Sequence, residues 1–334
     1  MNIDRSNIKK ILVIQLRPFG DVLLATSYLQ ALHENFPLST IDFLVCDPFQ
    51  NIIKGHPFLT EILVSAKREE NFLQYCFGRI STMVRVFRRK YDLVIDQQAG
   101  TGSAILTLFS CAKYRLGWED AKGRFSYSLR AVPGKSRYHG CRNFDMLAPL
   151  GIKERAFQLY VPIEGQSRDF VESWLCEKGI VAGKFICIAP GSPDPRKRWS
   201  LECFQGLVSL IKEKANYDIV LCYSPNEEPV ARLLAEMSSG RATLGPRTTF
   251  NQVAALLTLC RLLICHDGAL NHLSVATKTP AIAIFGSSAA SAWSPQGVFA
   301  DHYHVQKNFD KDDTTFGISP QDVFDKVTKV LALP

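Results

Sequence analysis

Ile11-Leu12-Val13-Ile14-Gln15-Leu16-Arg17-Pro18-Phe19-Gly20-Asp21 is the stretch that decides how this chain is read. An apolar run of this length, ended by Pro and Gly, has the pattern of a strand buried on both faces. Beyond Asp21, the residues Val22, Ala25, Leu29 and Leu32 recur at helical spacing, and Pro37 lies just past their end. The second half holds a counterpart, in which Phe185–Ala189 runs into Pro190-Gly191-Ser192 and another helical pattern. Open α/β sheets bind ligands beyond the carboxyl ends of their strands. Two such halves facing each other predict a cleft with one ligand on each side, the build of a group-transfer enzyme.

The rhythm continues outward from both stretches. Strands are expected near Ile11–Leu16, Ile41–Val45, Glu61–Val64, Leu93–Asp96 and Tyr114–Gly117, then near Phe185–Ala189, Asp218–Cys222, Leu262–His266 and Ala281–Phe285. Helical patterns fall near Leu201–Lys214, Glu227–Met237, Asn251–Leu259 and Ala269–Ala276. This alternation predicts a mostly parallel sheet in each half, covered on both faces. Pro162 and Gly165 interrupt the pattern, so the expected division is 1–165, 166–318 and a C-terminal helix over 319–334, with Val323, Val327 and Val330 on one face.

With 334 residues, the chain has room for two cores. Its 46% hydrophobic and 21% charged residues are ordinary for a soluble globular protein. The apolar run before Arg17 is too short for a signal-peptide core, and nothing approaches the roughly 18 apolar residues of a spanning helix. Ten scattered cysteines without a Cys-x-x-Cys pair read as buried thiols of a reducing cytosol, with no metal site. The net charge of +7 favours acidic partners. Arg85, Arg88, Arg89 and Lys90 form one basic cluster, either a solvated helix face or a contact for anionic lipid. Nucleic acid is disfavoured, because no recognition motif accompanies the charge.

Three turns can carry chemistry. In the first, Gly20 permits a tight turn and Asp21 is either a helix cap or a general base for an acceptor hydroxyl. In the second, Gly191 and Ser192 can offer N–H groups and a hydroxyl to phosphate, Arg196, Lys197 and Arg198 add charge, and Trp199 fixes the loop. In the third, Asp267 stands at a strand end, Gly268 and Ala269 allow close approach, the following helix aims its N-terminus at phosphate, and His272 is a further donor. Glu227 and Glu228 can serve ribose hydroxyls or simply open a helix. Neither a Gly-x-Gly-x-x-Gly nor a Walker-type loop is present, which argues against dinucleotide and NTPase chemistry.

The combination resembles the bacterial lipopolysaccharide heptosyltransferases, inverting sugar transferases of the GT-B fold in glycosyltransferase family 9. The resemblance is carried by the opening stretch, His56-Pro57-Phe58-Leu59-Thr60-Glu61, Tyr91-Asp92-Leu93-Val94-Ile95-Asp96-Gln97-Gln98 and Tyr114-Arg115-Leu116-Gly117-Trp118. It continues through Pro190-Gly191-Ser192 with Lys197-Arg198-Trp199, Leu244-Gly245, Asp267 to His272, Phe285-Gly286-Ser287 and Trp293-Ser294-Pro295. It implies two Rossmann-like domains across a central cleft, an ADP-heptose donor on the C-terminal domain and a lipid-linked acidic core oligosaccharide on the N-terminal one. Asp21 then matches the catalytic carboxylate and Lys197 the diphosphate-binding lysine. Asp267 and His272 match the ends of an Asp-Thr/Ser-Gly-x-x-His donor motif, within which Gly268 and Ala269 depart from the pattern, as does His266 before it.

On this reading Asp21 and Lys197 are catalytic, and Gly191, Ser192, Glu227, Glu228, Asp267, Gly268, Ala269 and His272 hold the donor together with Lys197. Arg17, Gly20, Gln98, Arg137, His139 and Arg142 face the acceptor. No metal and no cofactor are expected. The protein is expected to be cytoplasmic, with peripheral contact to the anionic inner membrane. The alternatives are a relative using another nucleotide sugar or acceptor, and a non-catalytic sugar-nucleotide or lipid-core binding protein.

Overall fold

The structure is a computed structural model and describes residues 3–65, 72–135, 137–308, 310 and 312–332. Two units divide after Pro162. The first is built on β1 (Lys10–Ile14), β2 (Thr40–Cys46), β3 (Glu61–Ser65), β4 (Leu93–Asp96), β5 (Tyr114–Trp118) and β6 (Leu129–Ala131). These pair in parallel in the order β3-β2-β1-β4-β5-β6. Its helices are α1 (Phe19–Leu24), α2 (Leu29–Asn35), α3 (Phe72–Arg89), α4 (Thr101–Phe109) and the single turn α5 (His139–Arg142).

The second unit has β7 (Phe185–Ile188), β8 (Asp218–Leu221), β9 (Thr243–Leu244), β10 (Leu262–His266), β11 (Ala281–Phe285) and β12 (His302–Gln306), parallel in the order β12-β11-β10-β7-β8-β9. Its helices are α6 (Gly165–Lys178), α7 (Leu201–Lys214), α8 (Glu228–Met237), α9 (Phe250–Leu259), α10 (Ala269–Thr277), α11 (Ala290–Trp293) and α12 (Pro320–Leu331).

The central strands are sealed on both faces, as their unbroken apolar runs require: every residue of β4, β7, β10 and β11 is buried. In the first unit, α3 and α4 cover one face, where Val86 and Leu106 pack with Leu12, Ile14, Leu44, Leu63 and Val94. In the second, Val323, Phe324, Val327 and Leu331 of α12 enter the same core as Phe204, Leu207 and Ile211 of α7, so the final helix belongs to that unit. All ten cysteines are free thiols.

The structure corrects one expected element. The helix pattern after Asp21 is not continuous: a 3₁₀ turn over Ala25–Tyr28 separates α1 from α2. The Thr26 hydroxyl bonds back to the Leu23 carbonyl (2.7 Å), competing with the regular ladder and tightening the turn. Val22, Leu29 and Leu32 remain fully buried.

Candidate functional site

In the second unit, β7 and β10 lie side by side while the chain leaves them in opposite directions across the sheet. Such a switch point is where open α/β sheets take ligands. Both turns expected to hold the donor emerge there. Gly191 follows β7, and a Cβ on it would lie 2.6 Å from Glu227 Cβ, so only glycine lets the two segments touch. Ser192 is buried, its Oγ accepting from Asp194 N–H (3.3 Å) and its carbonyl from Arg198 Nε (2.7 Å).

The three successive cations diverge. Arg196 pairs with Asp194 (2.8 Å) and is 81% exposed, whereas Arg198 braces the loop backbone. Only Lys197 reaches the β10 end, where Nζ donates to Asp267 Oδ2 at 2.6 Å. The Asp267 side chain is 4% exposed and that of Lys197 30%, so the carboxylate is buried beneath an ammonium that keeps N–H groups free to turn outward.

His266 locks this arrangement. Its Nε2 accepts from Trp199 N–H (2.9 Å), which leaves Nδ1 as the donor to the Gly191 carbonyl (3.0 Å). Burial pushes its pKa down to about 4, so the ring is neutral and holds this tautomer at physiological pH. Trp199 in turn is 1% exposed and donates Nε1–H to the Thr315 and Ile318 carbonyls (3.0 and 3.1 Å). A strand-end histidine with no motif role was the only sequence signal for this clamp.

Gly268 caps α10 without a side chain, and a Cβ there would meet nothing within 4 Å. Ala269 begins the helix, Asn271 N–H bonds back to the Gly268 carbonyl (3.1 Å), and His272 is buried with its ring 6.1 Å from that of Trp293. Glu227 and Glu228 differ. Glu227 faces Gly191 and closes a capping box through Oε2 with Ser224 N–H (3.0 Å) and Oγ (2.7 Å). Glu228 has both oxygens engaged, by Arg232 (2.8 Å) and Arg247 (2.7 Å), and Arg247 foremost holds its carboxyl below the usual range.

In the first unit, Asp21 is the third residue of α1, whose N-cap is Pro18, so the helix-cap reading does not hold. Among the described residues nothing bonds its side chain, and burial alone raises its pKa to about 6. Gln98, which follows β4, holds the preceding turn: its Oε1 accepts from Leu16 N–H (2.9 Å), Arg17 N–H (3.0 Å) and Gln15 Nε2 (3.2 Å). Gln15 Nε2 also donates to the Arg17 carbonyl (2.8 Å). The Arg17 side chain is exposed, and Gly20 is half-buried inside α1.

Asn143 bonds the Leu24 carbonyl at the end of α1 (2.8 Å), bringing α5 to this helix. Arg142 of α5 lies over the Trp118 ring (5.4 Å), with Nη1 3.5 Å from His139 Nε2. Arg137 is turned to Asp145 (2.6 Å) and Glu154. Asp96, to which the sequence reading gave no role, ends β4 fully buried. Burial raises its pKa to about 6, while Tyr127 Oη (2.8 Å) and Ala99 N–H (3.1 Å) hold it. It fixes the turn carrying Gln98.

Each sheet has one switch point, between β1 and β4 in the first unit and between β7 and β10 in the second, the arrangement of a ligand-binding α/β protein. Residues 80–315 match the description of glycosyltransferase family 9 (heptosyltransferase), and the chain belongs to that family. It is 25% identical over 291 residues to lipopolysaccharide heptosyltransferase 3 of Escherichia coli, covering 84% of each chain. A glycosyltransferase family 9 structure from Veillonella parvula superposes with a TM-score of 0.85 at 20% identity, covering 98% of both chains. E. coli heptosyltransferase WaaC, solved with ADP-2-deoxy-2-fluoro heptose, gives 0.75 at 19% identity, covering 96% of this chain and 99% of that one. The fold is therefore GT-B, two Rossmann-like α/β units.

Proposed function

We propose that this enzyme transfers heptose from ADP-heptose to the inner core of lipopolysaccharide, with inversion, at the cytoplasmic surface of an anionic membrane. The observation that carries the reading is Asp21, a carboxylate with no side-chain partner among the described residues and a pKa raised to about 6. It is ionised near neutral pH yet basic enough to take a proton. In the reaction, the acceptor hydroxyl loses its proton to Asp21 as its oxygen bonds the anomeric carbon. The bond from that carbon to the diphosphate breaks, and ADP leaves with the electron pair. The Lys197 ammonium, the Ser192 hydroxyl and the N–H groups opening α10 stabilise the charge on the diphosphate. Arg142 suits an acidic acceptor, whereas Arg137 already has carboxylate partners. WaaC with its ADP-heptose analogue supports the choice of donor by kinship.

The open space at Gly268 favours a second reading, a related transferase taking another nucleotide sugar. One experiment separates them: a thermal-shift panel of ADP-, UDP- and GDP-sugars, followed by mass spectrometry of a heptose-deficient core lipid incubated with the stabilising donor. A ligand that binds only the native state raises its apparent stability. ADP and ADP-heptose should stabilise and heptose should appear on the lipid. Stabilisation by UDP- or GDP-sugars instead, or no transfer, overturns the proposal.

A further inference from the structure

The outer surface of α3 is apolar where the sequence pointed to charge. Phe77, Ile80, Val84 and Phe87 are 70%, 55%, 41% and 54% exposed, and their spacing puts them in one stripe along the helix. On α4, beside α3 on the same face of the sheet, Ile105, Leu108 and Phe109 are 36%, 40% and 54% exposed. Arg79 Nη2 ties the two helices together at the Gly102 carbonyl (2.8 Å). Single exposed apolar residues are normal, but a contiguous set on two adjoining helices marks an interaction surface.

The charges identify the partner. Neither helix contains Asp or Glu, and α3 contains Arg79, Arg85, Arg88 and Arg89. Arg89 is compensated by Glu61 (2.6 Å) and Asp42 (3.2 Å). Arg79 and Arg85 bond only carbonyls among the described residues, so their charge remains, and Arg88 is exposed beside the stripe with Lys90 at its end. Ser81, Val84, Arg85, Arg88 and Arg89 line a shallow hollow there, fit for a phosphate headgroup. A second copy of the chain would bring the same cations and no carboxylate, because a two-fold interface repeats one patch.

We infer that the α3–α4 face docks on an anionic bilayer, with Phe77, Ile80, Val84, Phe87 and Phe109 entering the interface and Arg85, Arg88 and Lys90 meeting lipid phosphates. The inference rests on the proposed membrane-surface reading and changes its physics. Attachment by inserted apolar side chains survives salt, whereas attachment by charge alone is screened.

The test is flotation of the full chain with phosphatidylglycerol-containing and pure phosphatidylcholine vesicles, at low salt and at about 0.5 M salt, where the screening length is roughly 4 Å. The variants are Phe77→Ser/Phe87→Ser/Phe109→Ser and Arg88→Gln/Lys90→Gln, with thermal unfolding confirming their fold. Wild type should prefer anionic vesicles at low salt and keep a bound fraction at high salt. The aromatic variant should lose at least about tenfold in partitioning and all salt-resistant binding. The charge variant should lose the anionic preference but keep the salt-resistant fraction. Complete release of wild type by salt, equal binding by the aromatic variant, or self-association abolished by that variant without vesicle binding each overturns the inference. Transfer to a soluble acceptor fragment is measured on the same proteins. Turnover without vesicle binding sinks the docking face alone, and vesicle binding without heptose transfer sinks the proposed function alone.

Discussion

Replacing Asp21 by Asn separates two consequences of one burial. The carboxyl sits at about 6 against an ordinary 3.8, with desolvation as the cause. Between those values the folded chain holds the proton more tightly than the unfolded one, so stability falls as pH rises through this window. The penalty is fully present above pH 6. The full difference corresponds to roughly 3 kcal/mol, and because Asp21 is only half-buried, solvent screening reduces it to about 1–2 kcal/mol. Asp21→Asn removes the charge and the penalty. At about 2–4 °C per kcal/mol for a unit of this size, its midpoint should exceed wild type by roughly 2–8 °C near pH 8 and converge on it as pH falls below the unfolded value of 3.8. Turnover should fall about 100- to 10,000-fold with donor binding intact. The assays are thermal unfolding across pH and initial rates under donor saturation. A midpoint difference that does not vary with pH refutes the desolvation argument, and a variant retaining more than about a tenth of the wild-type rate refutes the base.

Three further outcomes follow from the second unit. Lys197→Ala should weaken ADP binding by about 1.5–3 kcal/mol in calorimetry and also lower the unfolding midpoint, because Asp267 is left buried and unpaired; unchanged ADP affinity would remove the lysine from phosphate binding. His266→Phe should break both loop bonds and weaken ADP severalfold, with His266→Gln partly restoring it. In wild type, the depressed pKa of His266 makes its contribution full above about pH 6.5 and lost as pH falls toward 4, so a stability advantage over His266→Phe that does not shrink from pH 6.5 to 4 in denaturant unfolding would refute the clamp. Gly268→Ser should fold with stability unchanged or raised by a few tenths of a kcal/mol, since its Cβ has open space, whereas Gly191→Ala should destabilise by about 1–3 kcal/mol against Glu227; equal effects in denaturant unfolding would contradict the packing.

The sequence was most legible at the centres of the two sheets. Ile11–Ile14, Leu93–Asp96 and Leu262–His266 are continuous apolar runs because both faces are covered, and each is a strand. The strands it did not yield, Leu129–Ala131, Thr243–Leu244 and His302–Gln306, are all edge strands. They are short or half-exposed, so their pattern is weak. The same limit explains α3: apolar residues on both its inner and outer faces blur the helical period, and only the arginines stood out. At the site, Lys197 and Asp267 were each readable as a motif position, but their pairing across 70 residues was not. The roles of His266 and Gln98 were not, because each acts through backbone atoms of a distant segment, which no spacing rule encodes.

The orders β3-β2-β1-β4-β5-β6 and β12-β11-β10-β7-β8-β9 are one wiring plan used twice, each with its own core. A chain built this way can diverge by halves. Substitutions in the loops around Lys197 draw on the stability of one core, and those that reshape the surroundings of Asp21 draw on the other. On the proposed division of donor and acceptor, a lineage can change the sugar it receives or the sugar it extends one at a time, and chimeras joined near Pro162 are the natural place to look for recombined specificities.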